Sequence, residues 1–133
     1  LETTTRTVGK SNTDGGGTES LSDRIWLPSG TEMGLSMDFT EGSRLSEFSS
    51  DSDRIAYITD AAASHFSVGS SSCRYWLRTP YTSSAGYVRG VDGGGSPNIN
   101  SAYYDYGVRP LCNLDSSVLV YLTPNSDGCY ALA

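Results

Sequence analysis

Few groups in this chain could begin a reaction. Apart from hydroxyls and one lysine, Lys10, the 133 residues offer one histidine, His65, and three cysteines, Cys73, Cys112 and Cys129. A lone histidine completes no nucleophile–base–acid relay, and His65 falls at the end of a predicted helix, where capping or solvation is its expected job. No two cysteines lie within four residues of each other, which excludes both a zinc ribbon and a CxxC redox pair. Buried thiols are the expectation, with one Cys112–Cys129 bridge as the alternative; closing a loop that short adds about 3 kcal/mol where geometry allows. Asp51, Asp53 and Asp60 lack the spacing, glycine and closing glutamate of a calcium loop. The "SPNIN" stretch offers amide oxygens without an adjacent acid, and "VDGGGSP" lacks the lysine and the strand-to-helix turn of a phosphate cradle. No catalytic residue, no metal ligand and no cofactor is expected.

Two arginines carry more information. Arg78 follows "YWL" and Arg109 follows "YGV", in segments otherwise composed for burial. A buried guanidinium without a partner costs several kcal/mol, so each needs a carboxylate or several carbonyls. Both read as scaffold, together with Trp26 and Trp76.

The elements that would hold these residues follow from periodicity. Residues 1–22, with "TTTRTVG" and "TDGGGTES", have the composition of an extended arm or linker. A packed domain is expected over 23–133, opening with a short strand, "DRIWLPS", closed by Pro28. In "SSDSDRIAYITDAAASHF", a serine at the start, Asp51 and Asp53 in the first turn, and Ile55, Ile58, Ala62 and Phe66 at helical spacing predict a helix. An earlier helical turn is expected in "EGSRLSEF". Beyond Phe66 the chain reads as short strands, "RYWLRT", "GYVRGV", "YGVRPLCNL", "VLVYL" and "CYALA", with "DGGGSPNINSAYYD" as a surface loop. That order predicts an α+β domain, a helix or two on short antiparallel strands with a long irregular loop region.

Composition narrows the function. The formal charge is −6. With no basic cluster, the chain lacks the footprint of a phosphate-backbone binder, so nucleic acid is excluded as a partner. No run of eighteen apolar residues predicts membrane insertion. The start at Leu1 reads as a processed form or a fragment. Between residues 81 and 106, nineteen of 26 positions are Tyr, Ser, Gly, Asn, Asp or Thr, a vocabulary close to that of antibody paratopes.

In order, "DRIWLPSGTEM", "RIAYIT", "YWLRTP" and "YGVRPL" resemble a bacterial and phage domain of unknown function (DUF6273-like) with WWLRSP-type and GVRP-type motifs. Tyr75 stands for the first Trp of that motif and Thr79 for its Ser. The family is similar to the C-type-lectin fold, so the resemblance implies a C-type-lectin-like domain in which "YWLRTP" is scaffold and the following loops are displayed. "GVRPLC" is similar, more remotely, to the closing strand of the formylglycine-generating enzymes, whose cysteine pair Cys73 and Cys112 do not reproduce. The expected function is a non-enzymatic binding or display domain, extracellular or on a virion surface, that recognises a cell-surface protein or glycan. The residues expected to bind are Tyr81, Tyr87, Asn98, Asn100, Tyr103, Tyr104 and Asp105. One alternative is a virion decoration or fibre subunit whose loops contact other subunits or copies of itself. The other is a degenerate relative of the formylglycine-generating group.

Overall fold

The computed structural model describes residues 1–60, 63–64, 71–124 and 131–132. Strands β1 (Thr4–Gly9) and β2 (Thr18–Asp23) form an antiparallel hairpin in register from Thr4↔Asp23 to Gly9↔Thr18. Residues 1–22, read from composition as an extended arm or linker, hold most of this hairpin. Its β-branched threonines suit a pleated ribbon, and its turn uses Gly15, Gly16 and Gly17, all with positive φ, a run that only glycine sustains. With its one leucine, Leu21, exposed, the hairpin is anchored through Arg6. That side chain is buried, pairs with Asp23 at 2.5 Å and lies 4.5 Å over the Trp26 ring.

Helix α1 runs only over Asp51–Arg54. The Asp53 carboxylate accepts from the Ser49 and Ser50 amides at 3.0 and 2.8 Å, so the predicted start is real. The continuation is not, because tertiary bonds take the carbonyls a second turn would use. Arg54 O accepts from Tyr75 Oη at 2.7 Å and Arg109 Nη1 at 3.2 Å, while the Ile58 amide, its would-be helical partner, donates to Ser71 O. Ala56–Tyr57 (β3) pair instead with Ser72–Cys73 (β4). Asp60, Ala63 and Ser64 are helical again, with the Ala63 amide 2.8 Å from Thr59 O; Ala62, His65 and Phe66 lie outside the described residues. Residues 41–48, expected to hold a helical turn, are irregular.

A four-stranded sheet organises the rest, in the order β7 (Pro97–Ser101), β6 (Tyr87–Val91), β5 (Tyr75–Pro80), β8 (Gly107–Val108). β5–β6 and β6–β7 are antiparallel and β5–β8 parallel. Period-2 alternation along β5 buries Tyr75, Leu77 and Thr79 and turns Trp76 and Arg78 to the other face. Tyr75, Leu77 and Val91 meet Met33 and Phe48 from the irregular 29–49 segment in one small core. Trp26 belongs to no strand; it exchanges backbone bonds of 3.0 and 2.7 Å with Leu111. Among the described residues, "VLVYL" and "CYALA" meet through the bridge Val120↔Leu132. The expected α+β, C-type-lectin-like class is overturned. Strands dominate, and no helix among the described residues reaches seven residues, so this is a small β-rich fold.

Candidate functional site

The hairpin β6–β7 passes through the segment that sequence alone reads as a loop. Its turn is built by Asp92, whose carboxylate accepts from the Gly94 and Ser96 amides at 2.9 and 3.0 Å. At Gly95, φ +87, an added Cβ would lie 1.9 Å from Asp51 O, so the turn rests directly on α1. Arg54 Nε reinforces this seat with a 2.8 Å bond to Gly95 O. A buried arginine on a single helical turn thereby fixes the hairpin that carries the site.

The other end of the sheet is aromatic. The register Tyr87↔Ser101 and the Ala102–Gly86 backbone bond, 2.9 Å, bring the β5–β6 loop and the segment after β7 together. Tyr81 and Tyr87 meet edge to face at 6.3 Å, and Tyr103 and Tyr104 at 6.0 Å. Arg89 lies 4.9 Å over Tyr81 and is held by Asp38 through bonds of 2.7 and 2.8 Å. Tyr103 is 88% exposed, the most open tyrosine of the set, and Asp105 is exposed beside it. All four tyrosines thus sit at one end; Tyr87, Tyr103 and Tyr104 are exposed and Tyr81 is half-buried beneath Arg89.

Asn98 and Asn100 have a different place. Their side-chain oxygens accept from the next residue's amide, Ile99 at 2.8 Å and Ser101 at 3.0 Å, on the edge strand β7. Pro97, of the same parity, has no amide hydrogen. Asn100 also donates to Tyr106 Oη at 2.5 Å. Tyr106, which sequence reasoning missed, stacks on Trp76 at 4.3 Å, and Arg74 lies 5.9 Å over the Tyr106 ring. The signal for that pair was the alternation in "YWLR", which sends Trp76 away from the core.

The two arginines differ in their partners. Arg78 forms a fork with Glu32 at 2.7 and 3.0 Å and donates to Leu27 O, Thr7 O and Glu41 O. Glu41, fully buried beside it, accepts from the Gly9 amide at 2.8 Å and from the Thr79 hydroxyl, which itself accepts from Gly30 N. Arg109 has no carboxylate partner among the described residues; it donates to Asp53 O and Arg54 O and lies 5.0 Å over Phe48 and 5.8 Å over Tyr75. Burial pushes the Tyr75 phenol up from its ordinary value.

Residues 1–116 match the model of the domain of unknown function DUF6273. The chain belongs to this family. No curated protein and no solved structure matches it. The DUF6273 match takes in both hairpins, the buried arginine cluster and the aromatic end, and stops before the exposed 117–124 segment.

Among the described residues of this DUF6273 chain, no three His, Cys, Asp or Glu converge as a metal cluster. Cys73 is half-buried and Cys112 exposed, which corrects the expectation of a buried Cys112; the alternative Cys112–Cys129 bridge falls on Cys129 and so lies outside the described residues. Cys129 and His65 lie outside the described residues.

Proposed function

We propose that this domain is a non-enzymatic binding module, displayed on a virion or bacterial surface, that recognises a cell-surface protein or glycan through the tyrosines at one end of its four-stranded sheet. The observation that carries this reading is the co-location of Tyr81, Tyr87, Tyr103 and Tyr104 on a fixed framework. Tyrosine offers a large amphipathic contact area with few rotatable bonds, so little entropy is lost when a partner covers it. Exposed aromatics are also where binding energy concentrates in protein interfaces. The bacterial or phage setting rests on the motif resemblance alone.

The test is binding of the purified domain to host cells and to arrays of surface proteins and glycans. Replacing Tyr103 and Tyr104 by Ala should weaken binding by about 2 kcal/mol or more while the melting temperature stays in place. Unchanged binding with a large loss of stability would show the pair to be packing residues.

A second reading, a decoration or fibre subunit, draws on a different observation. Leu119, Tyr121 and Leu122 are exposed, Leu122 by 92%, on the side of the chain that follows the family match. Contiguous exposed apolar side chains mark contact surfaces. A trimer or larger assembly in sedimentation, lost on Leu119→Ser and Leu122→Ser, would favour it.

A further inference from the structure

The two hairpins of the molecule treat their open edges differently. Directly opposite residues of an antiparallel pair alternate between exchanging backbone bonds and turning both groups outward. In the β1–β2 hairpin the Lys10 amide donates to Gly17 O at 2.9 Å, so by parity the outward rows are Thr5, Thr7 and Gly9 on β1 and Thr18, Ser20 and Ser22 on β2. On β1 that row is occupied: Gly9 N donates to Glu41 Oε1 at 2.8 Å and Thr7 O accepts from Arg78 Nη2 at 3.3 Å. On β2, no residue among those described bonds to the Thr18, Ser20 or Ser22 backbone from outside the hairpin. All six residues of β2 are exposed, its register runs without a bulge, and none of them is proline or lysine. The edge of β7, by contrast, lacks a donor at Pro97 and has those of Ile99 and Ser101 covered by Asn98 and Asn100. Proteins blunt free edges against stray pairing, so a molecule that blunts one edge and leaves another whole keeps the second available to a partner.

The side chains of β2 narrow the partner. Glu19, Leu21 and Asp23 share one face of the ribbon with Arg6, and Asp23, whose Oδ2 meets Arg6, is still 52% exposed. These carboxylates discourage a second copy: antiparallel self-pairing centred on Ser20 would set the two Glu19 side chains diagonally on one face, between chains that each carry −6. The same charges attract a base. We propose that β2 receives an extended segment of a partner protein as a third, antiparallel strand, with Lys or Arg opposite Glu19 and Asp23 and an apolar residue between them opposite Leu21. Backbone bonds to Thr18, Ser20 and Ser22 supply the attachment, and the two carboxylates select the sequence. The surface includes none of the four tyrosines and does not rest on their role.

The probe is the peptide acetyl-Thr-Lys-Thr-Val-Thr-Lys-Thr-amide, whose lysines and valine match the spacing of Asp23, Leu21 and Glu19. Titrated into the ¹⁵N-labelled chain, it should shift the Thr18, Ser20 and Ser22 amides and slow their hydrogen exchange, leaving Ile99 and Ser101 unchanged. With glutamates in place of the lysines it should bind about tenfold more weakly, because two attractive cross-strand pairs become repulsive. N-methylation of the two threonines flanking the valine, whose amides would face β2, should also weaken binding about tenfold, through two lost hydrogen bonds. Ser20→Pro removes an outward donor where an edge strand tolerates proline, and should abolish the exchange protection. Glu19→Lys should erase the preference for the lysine peptide; with the methylated peptide, it decides the matter even if the proline variant fails to fold. No binding of the lysine peptide, equal affinity for its glutamate or methylated form, shifts confined to the tyrosine end, or exchange protection that grows with protein concentration before peptide is added would each overturn the proposal.

Discussion

Among the described residues Arg78 meets a carboxylate where Arg109 meets carbonyls and rings, and the same substitution should tell them apart. Arg78→Met leaves Glu32 buried without its counter-charge beside a second buried carboxylate, Glu41. Stranding a buried charge costs about 3 kcal/mol or more. Arg109→Met removes two backbone-directed bonds and two ring contacts but strands no charge, so a loss of about 1–2 kcal/mol is expected. Urea melts decide; equal losses would mean that the Glu32 pair contributes nothing of its own. At Asp53 the serine hydroxyls and amides of Ser49 and Ser50 lower the carboxyl from 3.8 to about 2. A depressed folded-state value means the stabilisation is complete above the ordinary carboxylate value and is lost as pH falls through about 2. Asp53→Asn should flatten that part of the acid-stability curve, and an NMR titration midpoint for Asp53 near 3.8 would contradict it.

The edge strand β7 carries its own protection. Pro97 has no amide hydrogen, and the Ile99 and Ser101 amides are covered by the preceding asparagines. These three positions share a parity, so the outward row of donors that could recruit another strand is silenced. The double variant Asn98→Val, Asn100→Val restores two donors and adds β-branched side chains; concentration-dependent association in size-exclusion chromatography is expected, and a strictly monomer-like elution at high concentration would refute the argument. This strand also shows where sequence reasoning fails. "PNINS" carries one apolar residue, too few for an alternation to register, and its asparagines look like ligand groups because their partners are their own backbone. β5 was legible because "YWLRT" alternates against a core, and β6 because "YVRGV" is rich in β-branched and aromatic residues. The helix from Ser50 was legible at its start, where capping is local, and not in its length, which Tyr75 and Arg109 set from 21 and 55 residues away. The aromatic end was partly legible: Tyr81, Tyr87, Tyr103 and Tyr104 are evident from composition, whereas Tyr106 on Trp76 depends on the parallel pairing of β8.

At the scale of the molecule, acid is concentrated in the first 60 residues, and the exposed apolar side chains Leu119, Val120, Tyr121 and Leu122 follow the family match. All described residues from 119 to 124 are exposed. A chain ending at Ser116 should therefore melt within about 3 °C of the parent, the effect expected of removing surface residues. A loss of ten degrees in calorimetry would show that the terminal segment braces the core.

Glu2 bonds to Asn113 O at 3.0 Å, Asn113 reaches Thr4 at 2.8 Å, and Trp26 is bridged to Leu111. The ribbon β1–β2, closed on itself within residues 4–23, thus meets these further partners only about a hundred residues later in the chain. Without that later stretch the Arg6 guanidinium and the Trp26 ring have no Leu111 beside them, and β5 has no strand on its β8 side. Closing these contacts brings together residues more than a hundred positions apart, the kind of pairing whose loop-closure cost slows folding.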